Sequence, residues 1–275
     1  MDLSNENVIH VKSNGIQHLQ FRKLLEFPEI KHIYSLAKED YRTAKPDKTP
    51  LEKNKYDETV KNYKNLCGMI GESYVNVVQA RQTHSDNVAI VNTKQICEDI
   101  GQIETANNTD SLITSKKNII LSTTNADCIL LLLYDPVQKV IANVHSGWKG
   151  TLQRISVKTV KKMKELYNSN PDDIICCICP SIRKCHFEVD KSVKDMFENE
   201  FKDIAMKNII DKAENREKWY IDTVEINKLI LKREGLREEN IIDSKLCSVC
   251  NHDLIHSFRV EKEGYGVATA LIERE

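Results

Sequence analysis

The sequence is poor in glycine and proline, with 9 and 6 residues of these types in a chain of 275. This scarcity excludes a collagen-like segment and a long flexible linker. Long apolar runs are also missing, because the longest one covers residues 128–134, whereas a membrane helix needs about 18 or more apolar residues. We therefore expect no membrane association, and the length fits one large domain or two small ones.

A surplus of one charge is missing too, since 40 Lys and Arg residues face 41 Asp and Glu residues. A protein that coats nucleic acid carries a basic surplus, so we expect no nucleic-acid partner. Residues 1–15 lack the basic and apolar regions of a secretory signal, which predicts a cytoplasmic protein. That compartment keeps thiols reduced, so we expect most of the nine cysteines to be free and buried, with a few available for metal binding or chemistry.

Uninterrupted apolar runs predict strands that are covered on both faces. These runs lie at residues 119–121, 128–134, 140–144 and 174–179. Apolar residues three and four positions apart predict helices at 59–67, at 152–167 and within 191–240. Segment 40–58 is highly charged, contains two prolines and shows no apolar period, so we expect an exposed loop there.

The strands at 128–134 and 140–144 form a predicted hairpin around residues 135–138. The Asp-Pro pair that opens this segment suits the first two positions of a type I turn. In this register Cys128 lies directly opposite His145, and directly opposed residues have Cβ atoms roughly 4.5–5.5 Å apart. The two side chains are then able to share a metal ion or to form a nucleophile–base pair.

His84 is the candidate for a third member, because it lies in a polar turn between two apolar strands, where functional side chains are often presented. Two His and one Cys form a zinc set that leaves one position open for water or substrate, and such zinc lowers the pKa of bound water to roughly 7. The alternatives are an ordinary surface or core histidine at 84, and a Cys128–His145 catalytic pair without metal.

Polar groups around this pair predict further roles. Gly147 and Gly150 occupy a strand-to-helix turn, where unpaired backbone N–H groups favour an anion such as phosphate, although a simple tight turn has the same pattern. Asp127 is next to Cys128, and it could orient a histidine or accept a proton. Arg259 could clamp an anion or form a surface salt bridge.

The remaining cysteines form two groups. Cys247 and Cys250 have metal or redox spacing, with His252 close by, whereas Cys176, Cys177, Cys179 and Cys185 cluster near residue 180. We favour buried free thiols for both groups. The alternative is a structural zinc ion that joins them.

Several ordered motifs, from about residue 75 to the C-terminus, carry a resemblance to a known family. They lie at residues 82–85, 125–128, 144–150, 179–182, 185, 187–189, 247 and 257–259. The chain resembles the laccase-domain, or polyphenol oxidase, family of the YfiH type, whose members are also described as multifunctional purine nucleoside phosphorylases.

This resemblance implies a single compact α+β domain over residues 1–275, with central mixed β-sheets flanked by helices. It implies a zinc site of His84, Cys128 and His145, and a zinc-dependent enzyme for phosphorolysis of adenosine, inosine and methylthioadenosine and for deamination of adenosine. Copper-dependent phenol oxidation is an alternative, as is a Cys–His hydrolase or amidase. The partners are then a purine nucleoside and phosphate, and the chain is a monomer or a homodimer.

Specific roles in catalysis and binding are also predicted for individual residues. Asp127, Cys128 and Arg259 are predicted to be catalytic. Substrate or phosphate binding is predicted for Gln82, Ser146, Gly147, Trp148 and Gly150.

Overall fold

The computed structural model describes residues 1–36, 39–42, 50–92, 104–204, 206–214 and 216–275. Its strands are β1 (Val8–Ser13), β2 (Ile16–Phe21), β3 (Ile30–Ser35), β4 (Val77–Ala80), β5 (Val88–Ile90), β6 (Glu104–Ala106), β7 (Ser111–Thr114), β8 (Ile120–Asn125), β9 (Ile129–Asp135), β10 (Val140–Ser146), β11 (Ile175–Ile178), β12 (Glu188–Asp190), β13 (Ile210–Lys212), β14 (Lys218–Ile221), β15 (Ile241–Asp243) and β16 (Ala268–Arg274). Its α-helices are α1 (Pro50–Gly68), α2 (Trp148–Leu152), α3 (Ile155–Tyr167), α4 (Lys191–Glu200), α5 (Thr223–Arg233) and α6 (Phe258–Glu261). Short 3₁₀ helices lie at Leu24–Glu26, Tyr74–Asn76, Pro171–Asp173, Met206–Asn208 and Glu238–Asn240.

Two mixed β-sheets pack on each other at the centre. The first has the order β1-β2-β3-β16-β8-β4-β6, and its strands β8, β4 and β6 are parallel. The second has the order β15-β11-β9-β10-β7-β5, with parallel pairs at both edges and antiparallel pairs between them. Leu121 and Ala270 from the first sheet share one core with Leu132 and Ile141 from the second.

Strand β9 shows why the longest apolar run has no polar alternation. All seven of its residues are buried. Leu130 and Leu132 face the first sheet, whereas Leu131 and Leu133 face the opposite side, which is covered by helices. The prediction of a strand covered on both faces is therefore confirmed here.

Helices cover the outer faces of both sheets. Helices α3 and α5 lie on the second sheet and α1 lies on the first, whereas a smaller sheet, β12-β14-β13, packs with α4. Helix α5 shows the expected end signals, because the Asp222 side chain accepts a hydrogen bond from the Glu225 N–H at 2.9 Å and basic residues occupy its last turn. The predicted α+β class, with central sheets and flanking helices, is confirmed. Within the described ranges, no helix is both long and apolar enough to cross a membrane.

The expectation of an exposed loop over residues 40–58 is wrong for residues 50–58, which belong to α1. Pro50 occupies the first helical position, where its missing N–H leaves no hydrogen bond unmade. Lys and Glu are good helix formers, and only a narrow apolar stripe, with Tyr56 buried, faces the protein. Residues 43–49 lie outside the described residues.

Glu273 is a fully buried acid in β16, opposite Lys31 of β3. Neither of its carboxylate oxygens has a hydrogen-bond partner among the described residues, because Lys31 pairs instead with Glu72 at 2.7 Å and with Glu275. Burial and the nearby Glu72 carboxylate raise the pKa of Glu273 to about 8.

We predict that Glu273→Gln raises the free energy of unfolding by about 1–2 kcal/mol near pH 8. The unfolded carboxyl group titrates near pH 4.3, about its reference value. Wild-type stability therefore falls as the pH rises from about 4.3 through about 8, and the variant lacks this decrease. Urea unfolding at about pH 5 and about pH 8 measures the difference. The exposed Glu238→Gln is the matched control, and a gain that does not grow with pH contradicts the prediction.

Candidate metal centre and substrate pocket

Three side chains of types that can ligate a metal ion converge from separate segments beside the two large sheets. His84 follows β4, Cys128 directly precedes β9, and His145 lies near the end of β10. Their ligand atoms all lie within 4.8 Å of one another, and His84 Nε2 is 3.9 Å from Cys128 Sγ. One thiol and two imidazoles are donors that suit both zinc and copper. The donor set therefore fits a metal ion, whose identity stays a prediction.

The hairpin of β9 and β10 has a different register from the predicted one. His145 pairs with Leu130 rather than with Cys128, and the connecting loop is 136–139 rather than 135–138. Asp135 closes the hairpin, because its side chain accepts hydrogen bonds from two loop N–H groups, at 2.8 and 3.0 Å. A shift of two residues leaves every side chain on its original face. Cys128 therefore still meets His145, but diagonally.

Asp110 fixes the positions of both histidines. It is fully buried, and its carboxylate accepts hydrogen bonds from His145 Nδ1 at 2.7 Å and from the His84 N–H at 3.1 Å. It also accepts hydrogen bonds from the N–H groups of Thr83 and Ser85, at 3.1 and 2.8 Å, and from the Ser85 hydroxyl at 2.7 Å. Because Nδ1 of His145 donates to Asp110, its Nε2 is left to face a metal ion.

Asp110 was not predicted. Its only signal in the sequence is a polar residue directly before a buried strand, and many ordinary turns share that pattern.

Asp110, Cys128 and His145 shift one another's pKa values through hydrogen bonds and charge–charge interactions. Burial alone would raise the pKa of Asp110, but hydrogen bonds from His145 and Ser85 hold it at about 2. Burial alone would likewise raise the pKa of Cys128, but His145 and His84 outweigh it and lower this pKa to about 6. The pKa of His145 rises to about 9 against the effect of burial, because of Cys128 and Asp110. The site thus favours a thiolate next to a cation.

Gly147 leaves the space in which the three ligands meet. A Cβ atom at this position would lie 3.0 Å from His84 Cδ2 and 3.1 Å from Cys128 Sγ. Its φ of −63° is open to any residue. The requirement for glycine is therefore one of space rather than of backbone conformation.

A cavity of about 740 Å³ opens over the three ligands, which is within the range of small-molecule sites. Three arginines line it: Arg42, Arg81 and Arg259. Aromatic side chains line it as well: Trp148, Phe187, Phe258 and Tyr265. Phe258 is 51% exposed and packs edge-on against Tyr265, which in turn lies under the Arg42 guanidinium at 4.3 Å. The cavity thus combines cations with flat apolar surfaces.

Gln82, Asp127 and Arg259 all line this cavity. The Gln82 side chain continues the pairing between β4 and β8, because it donates to the Thr124 carbonyl at 2.8 Å and accepts from the Thr124 N–H at 2.7 Å. The Asp127 carboxylate accepts hydrogen bonds from the Ser248 hydroxyl at 2.6 Å and from the backbone N–H of Arg259 at 2.7 Å. These contacts tie Asp127 to Ser248 and Arg259, and the predicted contact with a histidine is not among them.

The predicted phosphate-binding turn is only partly presented to the cavity. Gly147 and Trp148 line it. Ser146 borders it, but its hydroxyl lies 3.1 Å from the Thr151 hydroxyl and points into the protein. Gly150 packs behind His145 and is not among the described residues that line the cavity. Helix α2 has only five residues, which leaves little helix dipole for an anion.

The remaining cysteines divide into two environments. Cys176, Cys177 and Cys179 are buried free thiols in and beside β11, as expected. Cys185 and Cys250 are exposed, so the expectation of buried thiols is wrong for them. They meet Cys247 and His186, a histidine that was not predicted, whereas His252 is not part of the group. Cys97 lies outside the described residues.

The family described as "Multi-copper polyphenol oxidoreductase laccase" matches residues 50–275. The chain belongs to this family. The resemblance predicted from the motifs is therefore confirmed.

Two relatives of this laccase-family chain carry the names of purine nucleoside enzymes. Purine nucleoside phosphorylase YlmD of Bacillus subtilis is 34% identical over 206 residues, which are 74% of this chain and 72% of that protein. Adenosine deaminase RL5, from an unknown prokaryotic organism, is 30% identical over 195 residues, 70% of this chain and 73% of that protein. Among solved structures, the hypothetical protein YfiH of Bacillus licheniformis shares the fold with a TM-score of 0.80 and 22% identity, over 96% of this chain and 100% of that one.

We predict that Asp110→Asn weakens zinc binding by about 10–100-fold and lowers the free energy of unfolding by about 1–3 kcal/mol. The amide cannot accept all the hydrogen bonds that the carboxylate accepts, so the turn at 83–85 and the His145 ring lose their common anchor. Competition with a chelator measures zinc affinity, and urea unfolding measures stability. The control is Asp86→Asn, which removes a partly exposed partner of Lys158 from the same turn. Unchanged zinc affinity in Asp110→Asn contradicts the prediction.

We predict that Gly147→Ala lowers zinc affinity by about 10-fold or more and leaves the fold largely intact. The added methyl group displaces His84 or Cys128, whereas the backbone conformation suits alanine. Zinc titration and circular dichroism test the two parts separately. Gly68→Ala, which adds a methyl group into open space, is the matched control, and equal zinc affinities in both variants speak against the steric argument.

Proposed function

We propose that this chain is a metal-dependent purine nucleoside enzyme, with zinc held by His84, Cys128 and His145. Its reactions are phosphorolysis of adenosine, inosine and methylthioadenosine, and deamination of adenosine. The observation that carries the proposal is the convergence of these three ligands on a cavity that offers both arginines and aromatic side chains. Relatives named purine nucleoside phosphorylase and adenosine deaminase support the same substrate class.

The cavity suits both halves of such a reaction. Aromatic faces at Trp148, Phe187 and Tyr265 can stack on a purine, because every base presents a flat π surface. Arginine side chains at 42 and 259 can bind a phosphate through paired N–H donors. The guanidinium of Arg259 already donates to the Glu188 carbonyl, at 3.3 and 3.4 Å, and this contact restricts its position at the cavity wall.

In phosphorolysis a phosphate oxygen forms a bond to the ribose C1′ while the bond from C1′ to the purine breaks. The bonding electrons leave with the base, which takes up a proton. The arginines would hold the phosphate in line with C1′, and the aromatic faces would hold the base. Asp127 acts as a positioning residue, because it anchors the backbone of Arg259. Zinc at the three ligands would supply Lewis acidity and an activated water for deamination.

A Cys–His hydrolase remains the second candidate, since one specific observation favours it. Asp110, His145 and Cys128 are arranged as an orienting carboxylate, a base and a thiol, which is the order of groups in a catalytic triad. We favour the metal site over the hydrolase because His84 Nε2 also lies 3.9 Å from the Cys128 thiol. A catalytic triad contains only one imidazole, so it does not explain the second one.

The family description points to a third candidate, copper-dependent phenol oxidation. Soft Cys and His ligands also suit copper, so metal analysis must accompany any assay. The cytoplasmic location, the absence of a nucleic-acid partner, and the choice between monomer and homodimer remain predictions.

We predict that zinc-loaded protein releases hypoxanthine from inosine only when phosphate is present, and that His84→Ala lowers this rate at least about 100-fold by removing a metal ligand. Adenosine should yield inosine without phosphate, and His84→Ala should lower the rate of this reaction to the same extent. Liquid chromatography of bases and nucleosides measures both reactions. His252→Ala, which removes an exposed histidine, is the matched control and should keep the wild-type rates.

The alternatives give different results in the same experiment. Activity on an amide or ester that survives chelators and is lost in Cys128→Ser supports the hydrolase. Oxidation of phenols that requires added copper supports the oxidase. No turnover of any of the three nucleosides by metal-loaded protein contradicts the proposal.

A further inference from the structure

A second group of metal-ligating side chains lies outside the site described above. We call Cys185, His186, Cys247 and Cys250 the Cys3His cluster. Their ligand atoms all lie within 4.8 Å of one another. The cluster joins two segments that are about sixty residues apart in the sequence, since Cys185 and Cys247 are separated by 62 positions.

Four of five donor–donor distances in the Cys3His cluster lie within about 0.2 Å of the edges of a zinc-centred tetrahedron, and the fifth, from His186 Nδ1 to Cys185 Sγ, is about 0.5 Å shorter. Cys185 Sγ lies 3.7 Å from Cys247 Sγ and 4.0 Å from Cys250 Sγ. His186 Nδ1 lies 3.1, 3.7 and 3.6 Å from the sulfurs of Cys185, Cys247 and Cys250. With Zn–S of about 2.3 Å and Zn–N of about 2.0–2.1 Å, tetrahedral edges are about 3.8 Å between sulfurs and about 3.6 Å between sulfur and nitrogen. We propose that the Cys3His cluster binds a structural zinc ion.

Neither alternative for these thiols accounts for the arrangement. A disulfide needs sulfurs about 2.05 Å apart, and all three cysteines are free. Hydrophobic packing does not explain the convergence of Cys185 and Cys250 either, because both are exposed. Four donor atoms that all lie within 4.8 Å of one another are the arrangement that a closed tetrahedral site requires.

The protein itself holds the two segments in place. Ser181 and Cys247 form a parallel β-bridge, with the Ser248 N–H donating to the Ser181 carbonyl at 3.0 Å. Arg183 adds a side-chain bond to the Leu246 carbonyl at 3.3 Å and an ion pair with Asp243. The ligands are therefore preorganised, which lowers the entropic cost of binding the ion.

Four protein ligands leave no open position for substrate, so the zinc has a structural role. The cluster nevertheless adjoins the cavity. Phe187 and Glu188, the residues after His186, line the cavity wall, and Ser248, between the two cysteines of the 247–250 pair, donates to Asp127 at 2.6 Å. The ion would thus join two walls of the substrate pocket. Its binding releases the three thiol protons to solvent, because zinc binds thiolates.

The test uses the full chain, loaded with zinc and then dialysed, with metal counted by elemental analysis. We expect Cys185→Ser and Cys250→Ser each to bind about one zinc per chain less than the wild type. When either substitution is combined with His84→Ala, we expect the same loss of about one zinc relative to His84→Ala alone. Cys67→Ala, which removes a buried thiol elsewhere, should retain it. Both tested cysteines are exposed, so misfolding of the variants is not expected, and circular dichroism verifies this.

Cobalt substitution gives an independent readout. In the His84→Ala background, thiolate-to-cobalt absorption should remain, and it should fall sharply when Cys250→Ser is added. Unchanged zinc content in both cysteine variants overturns the proposal, as does a Cys185 disulfide in the protein as isolated. The experiment distinguishes a failure of this proposal from a failure of the proposed function. Loss of nucleoside turnover in His84→Ala tests the site of His84, Cys128 and His145, whereas zinc retained in that variant tests the Cys3His cluster.

Discussion

The buried carboxylate of Asp110 is the interaction on which the candidate site depends. It accepts hydrogen bonds from three consecutive N–H groups of the turn at 83–85 and from the ring of His145. The two histidines come from different sheets, since β4 leads to His84 and β10 contains His145. One fully buried anion therefore links the sheets at the point where the ligands meet. A buried carboxylate is tolerated there because each of its oxygens accepts hydrogen bonds.

The packing of the sheets determines the position of the cavity. Strands β4 and β8 are parallel neighbours, so the turn at 81–87 and the loop at 126–128 leave the first sheet at the same edge. The Gln82 side chain extends their pairing by two further hydrogen bonds. Strands β9 and β10 place Cys128 and His145 at the facing edge of the second sheet. The ligands thus meet where the two sheets end.

Two segments close the cavity from the side. The segment at 185–189 carries Phe187 and Glu188, and the segment at 247–259 carries Phe258 and Arg259. Asp127 and Ser248 join the second segment to the ligand loop, and the proposed zinc in the Cys3His cluster would join the two segments to each other. The walls therefore combine these polar contacts with apolar packing, since Val189 and Phe187 belong to one core cluster and Ile255 to another.

The sequence by itself determined the strands of the core, the α+β class through a family resemblance, and His84, Cys128 and His145 as a group. Apolar runs and motif spacing are local signals, and they survive an error of two residues in the hairpin register, because such a shift leaves each side chain on the same face. Only the tertiary structure decided the position of Asp110 and the entry of His186 into the Cys3His cluster. These features depend on contacts between residues far apart in the chain, and no local pattern encodes which distant polar group fills a given buried space.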